Sequence, residues 1–161
     1  MTSLYLIIAF ALLYAWKKTR QFAIYFLPWL IFAVTYDSMR FYPNYLVNDI
    51  DVRGLYEAEK SLFGITASSS ADLQAIADHT NVMIPGEWFK VHHCGFADFM
   101  AGIFYLCWVP VPVAFALYLF FKKQYKWFMR FSWSFLVVNL IGFIGYYIHP
   151  ASPPWYVMNY G

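Results

Sequence analysis

All nine acidic residues of the chain fall between Asp37 and Asp98, whereas seven of its eleven lysines and arginines lie in two short clusters outside that window. Lys17, Lys18 and Arg20 form one cluster and Lys122, Lys123, Lys126 and Arg130 the other, and each separates two long apolar runs. Positive charge at the connections between apolar runs is the mark of loops held on the cytoplasmic side of a membrane. Residues 37–98 and everything after His149 are therefore expected on the opposite, extracytoplasmic side, and polar chemistry with them. A soluble fold is disfavoured, because 61% hydrophobic and 12% charged residues leave too little polar surface to cover a globule. The mean hydropathy of +0.49 agrees. An aromatic content of 24%, with many Tyr and Trp, suits rings that sit in lipid with a polar tip at the headgroups. A net charge of +2 gives no reason to expect nucleic acid as a partner; the basic loops set orientation and touch anionic lipids.

The runs predict an all-α integral membrane protein with four transmembrane helices, read as a single membrane domain over 1–161, multi-pass and in the inner membrane if bacterial. Spans are expected at about 2–16, 21–36, 99–121 and 127–148. The first two runs, Thr2 to Trp16 and Gln21 to Tyr36, are short of the roughly 20 residues a crossing needs. Flanking Lys17, Lys18, Arg20 and Tyr36 can snorkel to the interface, so the pair reads as a tight helical hairpin. A cleaved signal peptide is not favoured, since the positive charges follow the first run instead of preceding it. The third run, Phe99 to Phe121, contains Pro110 and Pro112, whose missing N–H groups predict a bend that serves either a cavity or ordinary helix packing.

Residues 37–98 are too polar to cross and too apolar for a flexible tail, and are expected to lie along the membrane as an interfacial helical segment. Val52, Leu55, Tyr56, Glu59, Leu62 and Phe63 recur at helical spacing. Ser69 and Asp72 mark the start of a second short helix over Leu73, Ala75 and Ile76.

Polar candidates are few. Asp37 and Arg40 stand three apart where the second span surfaces, so they can pair as a helix-end anchor; the planar guanidinium of Arg40 also suits a phosphate. His92 and His93 beside Cys94 match no usual zinc spacing, so no metal is expected; hydrogen bonding to headgroups, a polar pocket shared with Asp98, or proton transfer fits better. The chain after the fourth run reads His149-Pro150-Ala151-Ser152-Pro153-Pro154-Trp155-Tyr156, in which three prolines end the helix and leave Trp155 and Tyr156 at headgroup depth.

Pro153-Pro154-Trp155-Tyr156 after a span resembles the segment preceding the catalytic half of inositol phosphorylceramide synthases, members of the type 2 phosphatidic acid phosphatase superfamily. The stretch Leu55-Tyr56-Glu57-Ala58-Glu59-Lys60-Ser61-Leu62-Phe63-Gly64 resembles that family's outward helix. The Trp88 to Asp98 region, with His and Asp before a proline-containing span, is similar as well, and the likeness covers most of Tyr36 to Gly161.

This resemblance implies a six-span enzyme that moves a phosphorylated head group, phosphoinositol-like, from a phospholipid donor to a ceramide-like acceptor, without metal or other cofactor. In the family one histidine attacks phosphorus and a second, paired with an aspartate, moves protons, which splits the transfer into two displacements. Those motifs follow the part matched by Pro153 to Gly161, so the resemblance assigns no catalytic residue here and makes the chain an amino-terminal portion, inactive alone, whose partner is a carboxy-terminal catalytic half. Arg40, His149, Trp155 and Tyr156 are the candidate substrate-binding residues. A non-enzymatic four-span scaffold or lipid-binding subunit, and a lipid phosphate phosphatase, are the alternatives.

Overall fold

The computed structural model describes residues 2–153 and 156–157. In chain order the elements are α1 (Thr2–Ala15), α2 (Arg20–Tyr25), α3 (Leu27–Ser38), a 3-10 turn (Asn44–Leu46), α4 (Gly54–Phe63), β1 (Ile65–Thr66), α5 (Ser70–Ala75), β2 (Val82–Met83), α6 (Pro85–Val91), α7 (Gly95–Leu106), α8 (Pro110–Phe121) and α9 (Tyr125–Ile148). They fall into two compact units. One comprises Met1–Val47 with Trp108–Tyr147, and the other Asn48–Cys107 with Ile148–Gly161.

The first unit is built from two helical hairpins. Between α1 and α2 the Thr19 hydroxyl donates to the Leu13 carbonyl at 2.6 Å and Arg20 Nε to the Tyr14 carbonyl at 3.1 Å. The last turn of α1 would otherwise leave those carbonyls unsatisfied, and a cation at a helix C-terminus also meets the negative end of its dipole. At the other end of the hairpin Asp37, near the close of α3, accepts from both the backbone and the hydroxyl of Ser3. The core is aromatic. Phe26, Trp29, Ala116, Leu119 and Phe128 are buried together, with Trp29 stacked on Phe135 at 4.6 Å between centroids. The buried Trp29 indole N–H donates to the Ser132 hydroxyl at 3.0 Å, which satisfies both polar atoms without water.

Of the four expected spans, one is a single helix long and apolar enough to cross a bilayer: α9, with 24 residues. The third run is not one bent helix but two. The helix stops at Leu106 and restarts at Pro110, the first residue of α8, where the missing proline N–H would have no intrahelical acceptor anyway. The two reach spanning length only when taken together. The second run also divides, at Phe26, because Pro28 cannot donate back into the preceding turn. Val137, Val138, Ile141 and Ile144 of α9 are exposed, a surface that water alone does not stabilise.

The second unit holds the expected short helices and a feature too small to read from periodicity, an antiparallel ribbon with Ile65 opposite Met83 and Thr66 opposite Val82. Helix α4 covers the predicted stripe from Leu55 to Phe63 but starts at Gly54, after Val52, and the stripe divides. Tyr56 turns inward to pack with Ile84 and Val157, whereas Leu55, Leu62 and Phe63 face out. Ser69 and Asp72 form a full capping box at the start of α5.

Candidate functional site

Where α9 ends, the chain in the second unit is held by Asp51. The Asp51 N–H donates to the Pro150 carbonyl and the Ser152 N–H to the Asp51 carbonyl, both at 2.8 Å, forming a parallel bridge between Asp51 and Ala151. Prolines at 150 and 153 leave few backbone donors in this stretch, so the two bonds fix its path. The Asp51 side chain has two tasks. One carboxylate oxygen accepts the Gly54 N–H at 2.7 Å, at the entrance to α4, and the other lies 3.3 Å from His149 Nε2. The His149 side chain stays 71% exposed, oriented from behind by an acid. An imidazole held in this way can donate to, or accept from, a polar group arriving from outside.

A second His–Asp pair lies in the same unit. His92 Nε2 sits 2.9 Å from Asp72 Oδ1, and the Asp72 side chain is 1% exposed. The other oxygen of Asp72 accepts from the Ser68 N–H and the Ser69 N–H, each at 3.0 Å, and from the Ser68 hydroxyl at 3.1 Å. The Ser68 N–H, opposed by desolvation and helped by His92 and the two serines, holds the Asp72 carboxyl well below the usual carboxylate range. An ionised carboxylate only accepts, so Nε2 of His92 carries the shared proton. The ring is also stacked on Trp88, with centroids 4.6 Å apart. Below it, Glu87 is wholly buried and accepts from the Tyr56 hydroxyl, the Ala77 N–H and the Ile84 N–H at 3.0, 2.8 and 2.9 Å. Burial, then the charge and hydrogen bond of Glu87, raise the Tyr56 phenol far above its ordinary value, so it stays neutral and donating.

The four expected substrate-binding residues are distributed as follows. Arg40 belongs to the first unit, exposed and 3.5 Å from Asp37 Oδ1, the partner its spacing suggests. His149 and Tyr156 belong to the second, where the Tyr156 N–H donates to the Pro153 carbonyl at 2.8 Å. Trp155 lies outside the described residues. The adjacent histidines do not converge, since His92 faces Asp72 while His93 Nδ1 stands 3.4 Å from Asp98. No group of three or more His, Cys, Asp or Glu side chains suited to one metal ion occurs among the described residues.

Asp51, Asp72 and Glu87 are the residues that sequence reasoning missed as partners. Glu87 did carry a local signal, two residues after a proline at a helix start, where a glutamate folds back to the preceding N–H. Asp72 was legible as a cap but not as the partner of a histidine twenty residues on.

A profile of the PAP2 superfamily matches residues 77–161, which takes in α6 to α9, both His92 and His149, and the proline-rich stretch. A protein of Bacteroides thetaiotaomicron, a phosphoinositol dihydroceramide synthase, is 54% identical over 161 residues. The match takes in 100% of this chain and 48% of the relative, so the chain spans about half of that protein's length. No solved structure matches the chain.

Proposed function

The chain belongs to the PAP2 superfamily, and from that membership we propose that it forms part of a membrane lipid phosphotransferase that carries a phosphoinositol-type head group from a phospholipid to a ceramide-like acceptor. The observation that carries the reading is 54% identity maintained over all 161 residues to a phosphoinositol dihydroceramide synthase. In this reading the chain crosses the bilayer four times, with residues 37–98 and the segment after α9 outside. Leu55, Leu62 and Phe63, exposed along α4, support an interfacial position for the outward segment, because an apolar stripe of that kind is stabilised by the headgroup boundary.

Within such an enzyme each unit contributes its own head-group contacts. Arg40 offers two parallel N–H donors to a phosphate, and its weak exposed pair with Asp37 is easily exchanged for the two free oxygens of a phosphodiester. His149, its Nε2 held by Asp51, accepts through Nδ1 from a head-group hydroxyl, while Trp155 and Tyr156 hold the lipid at headgroup depth. No attack on phosphorus is assigned to His92, His93 or His149. The nucleophile and its proton-transfer pair come from sequence corresponding to the rest of the relative's length.

The test is to express the chain together with that corresponding sequence, supply membranes with labelled phosphatidylinositol and ceramide, and separate the products. Label in a phosphoinositol ceramide supports the transferase. Label released to water as a free inositol phosphate, with diacylglycerol as the leaving group, makes the protein a phospholipid hydrolase instead of a transferase, and no turnover of either kind overturns the enzymatic reading.

A further inference from the structure

In the first unit, α8 and α9 are joined by a turn in which the Lys123 N–H donates to the Phe120 carbonyl and the Gln124 N–H to the Leu119 carbonyl, each at 2.9 Å, with Lys123 in the left-handed region at φ 57°. These two bonds are the Schellman closure of a helix, normally built around glycine. The closure gathers Lys122, Lys123, Lys126 and Arg130 at one end of the hairpin. Yet no ion pair among the described residues involves any of the four. Asp37 is the sole carboxylate residue in this unit's sequence, and it is taken by Ser3 and Arg40.

Beside this charge cluster a cleft of about 470 Å³ lies between α8 and α9. Trp127, Arg130, Phe131 and Ser134 line it at helical spacing from one face of α9, and Phe115, Leu119 and Gln124 complete it. Its size is that of an ordinary ligand site, roughly 300 to 1,000 Å³. The Arg130 guanidinium lies over the Trp127 ring at 5.3 Å, which holds the cation at the mouth while leaving its N–H donors unused by any carboxylate.

We propose that this cleft binds one anionic phospholipid, with an acyl chain against Phe115, Phe131 and Trp127 and the phosphate on Arg130, supported by Lys126 one turn away. The proposal rests on the reading of α9 as a bilayer span, but not on the transfer reaction. Two features select the occupant. Aromatic and aliphatic walls gain from a hydrocarbon chain and nothing from a free anion. Four cations with no carboxylate partner among the described residues call for an anion that the surroundings supply, and a membrane surface supplies phosphate. It is a different locus from the head-group side of the proposed enzyme, since it lies at the basic loop, on the side that the charge pattern assigns to the cytoplasm.

Tryptophan quenching tests this on the full chain in neutral detergent micelles, with brominated phosphatidylglycerol compared with brominated phosphatidylcholine. The expected result is quenching at a lower mole fraction of the anionic lipid, with the difference carried by the share of emission that Trp127→Phe removes from a chain of seven tryptophans. Arg130→Gln and Lys126→Gln should each weaken the anionic preference roughly fivefold, and Arg130→Lys should retain most of it. Ser134→Phe, which fills the cleft without touching charge or adding a fluorophore, should abolish the preference and covers the case in which Arg130→Gln does not fold. Equal quenching by the two lipids in the unaltered chain overturns the proposal. So does competition by inorganic phosphate as effective as that of the lipid, which would indicate a bare anion site, and so does occlusion of Trp127 by a second copy of the chain.

Discussion

The Tyr56 hydroxyl donates to Glu87 Oε1 across 3.0 Å, inside a site where Tyr56 is 1% and Glu87 0% exposed, and the same oxygen accepts the Ala77 N–H. One carboxylate thereby ties α4, the turn after α5 and the start of α6. Glu87→Ala strands two buried donors, on Tyr56 and Ile84, and the half-buried Ala77 N–H, each buried one worth about 1 to 3 kcal/mol when left unsatisfied, so a loss of about 3 kcal/mol or more is expected. Tyr56→Phe removes a single bond and should lose about 1 to 2 kcal/mol. Thermal unfolding in detergent measures both, and a Glu87→Ala variant no less stable than Tyr56→Phe would contradict this arrangement.

Asp72 gives the second unit a dependence on acid. Its folded pKa lies below the unfolded value, so its stabilising contribution is complete above about pH 4 and is lost as the pH falls through the lower folded value. Amide exchange over Ser68 to Leu73, corrected for intrinsic rate, should show unchanged protection from about pH 7 to 5 and loss only below about pH 4. Asp72→Asn should weaken protection at every pH and flatten its dependence. Loss of protection already complete at pH 5 in the unaltered chain would be incompatible with this account.

Arg40 and His149 have side chains that are each 71% exposed, so replacing them should change transfer more than stability. Arg40→Ala is expected to reduce phosphotransfer by the co-expressed enzyme roughly 10- to 100-fold, the range of a lost charge-assisted bond. Arg40→Lys should fall between, since an ammonium keeps the charge and loses the fork. His149→Ala should act similarly without lowering the unfolding temperature, whereas Asp51→Ala should also lose about 1 kcal/mol by uncapping α4. Transfer rates that do not move in Arg40→Ala would leave that side chain as a helix-end anchor only.

Trp29 and Ser132 are 103 residues apart in sequence and share one buried hydrogen bond between α3 and α9. Trp29→Phe and Ser132→Ala, made singly and together, should show a coupling of about 0.6 to 1.7 kcal/mol, as measured for hydrogen bonds between membrane helices. Strict additivity would mean that the bond is absent or fully replaced by solvent.

The order of charges and apolar runs by itself determined that this chain is mostly helical with an apolar span, because so much hydrocarbon with every backbone group bonded leaves helices as the economical answer. Local chemistry was legible in the same way: the apolar spacing of α4, the Ser69 and Asp72 cap, and the pairing of Asp37 with Arg40 are interactions within one or two turns. The likeness around Pro153 to Tyr156 pointed to the superfamily whose profile covers 77–161. What only the tertiary structure decided are relationships over long separations: Asp51 behind His149, Asp72 behind His92, Glu87 beneath Tyr56, and Trp29 against Ser132. It also decided where helices stop, since a proline in a sequence can bend a helix or begin one. At Pro110 the chain begins a new helix, the position at which an absent N–H leaves no acceptor unpaired.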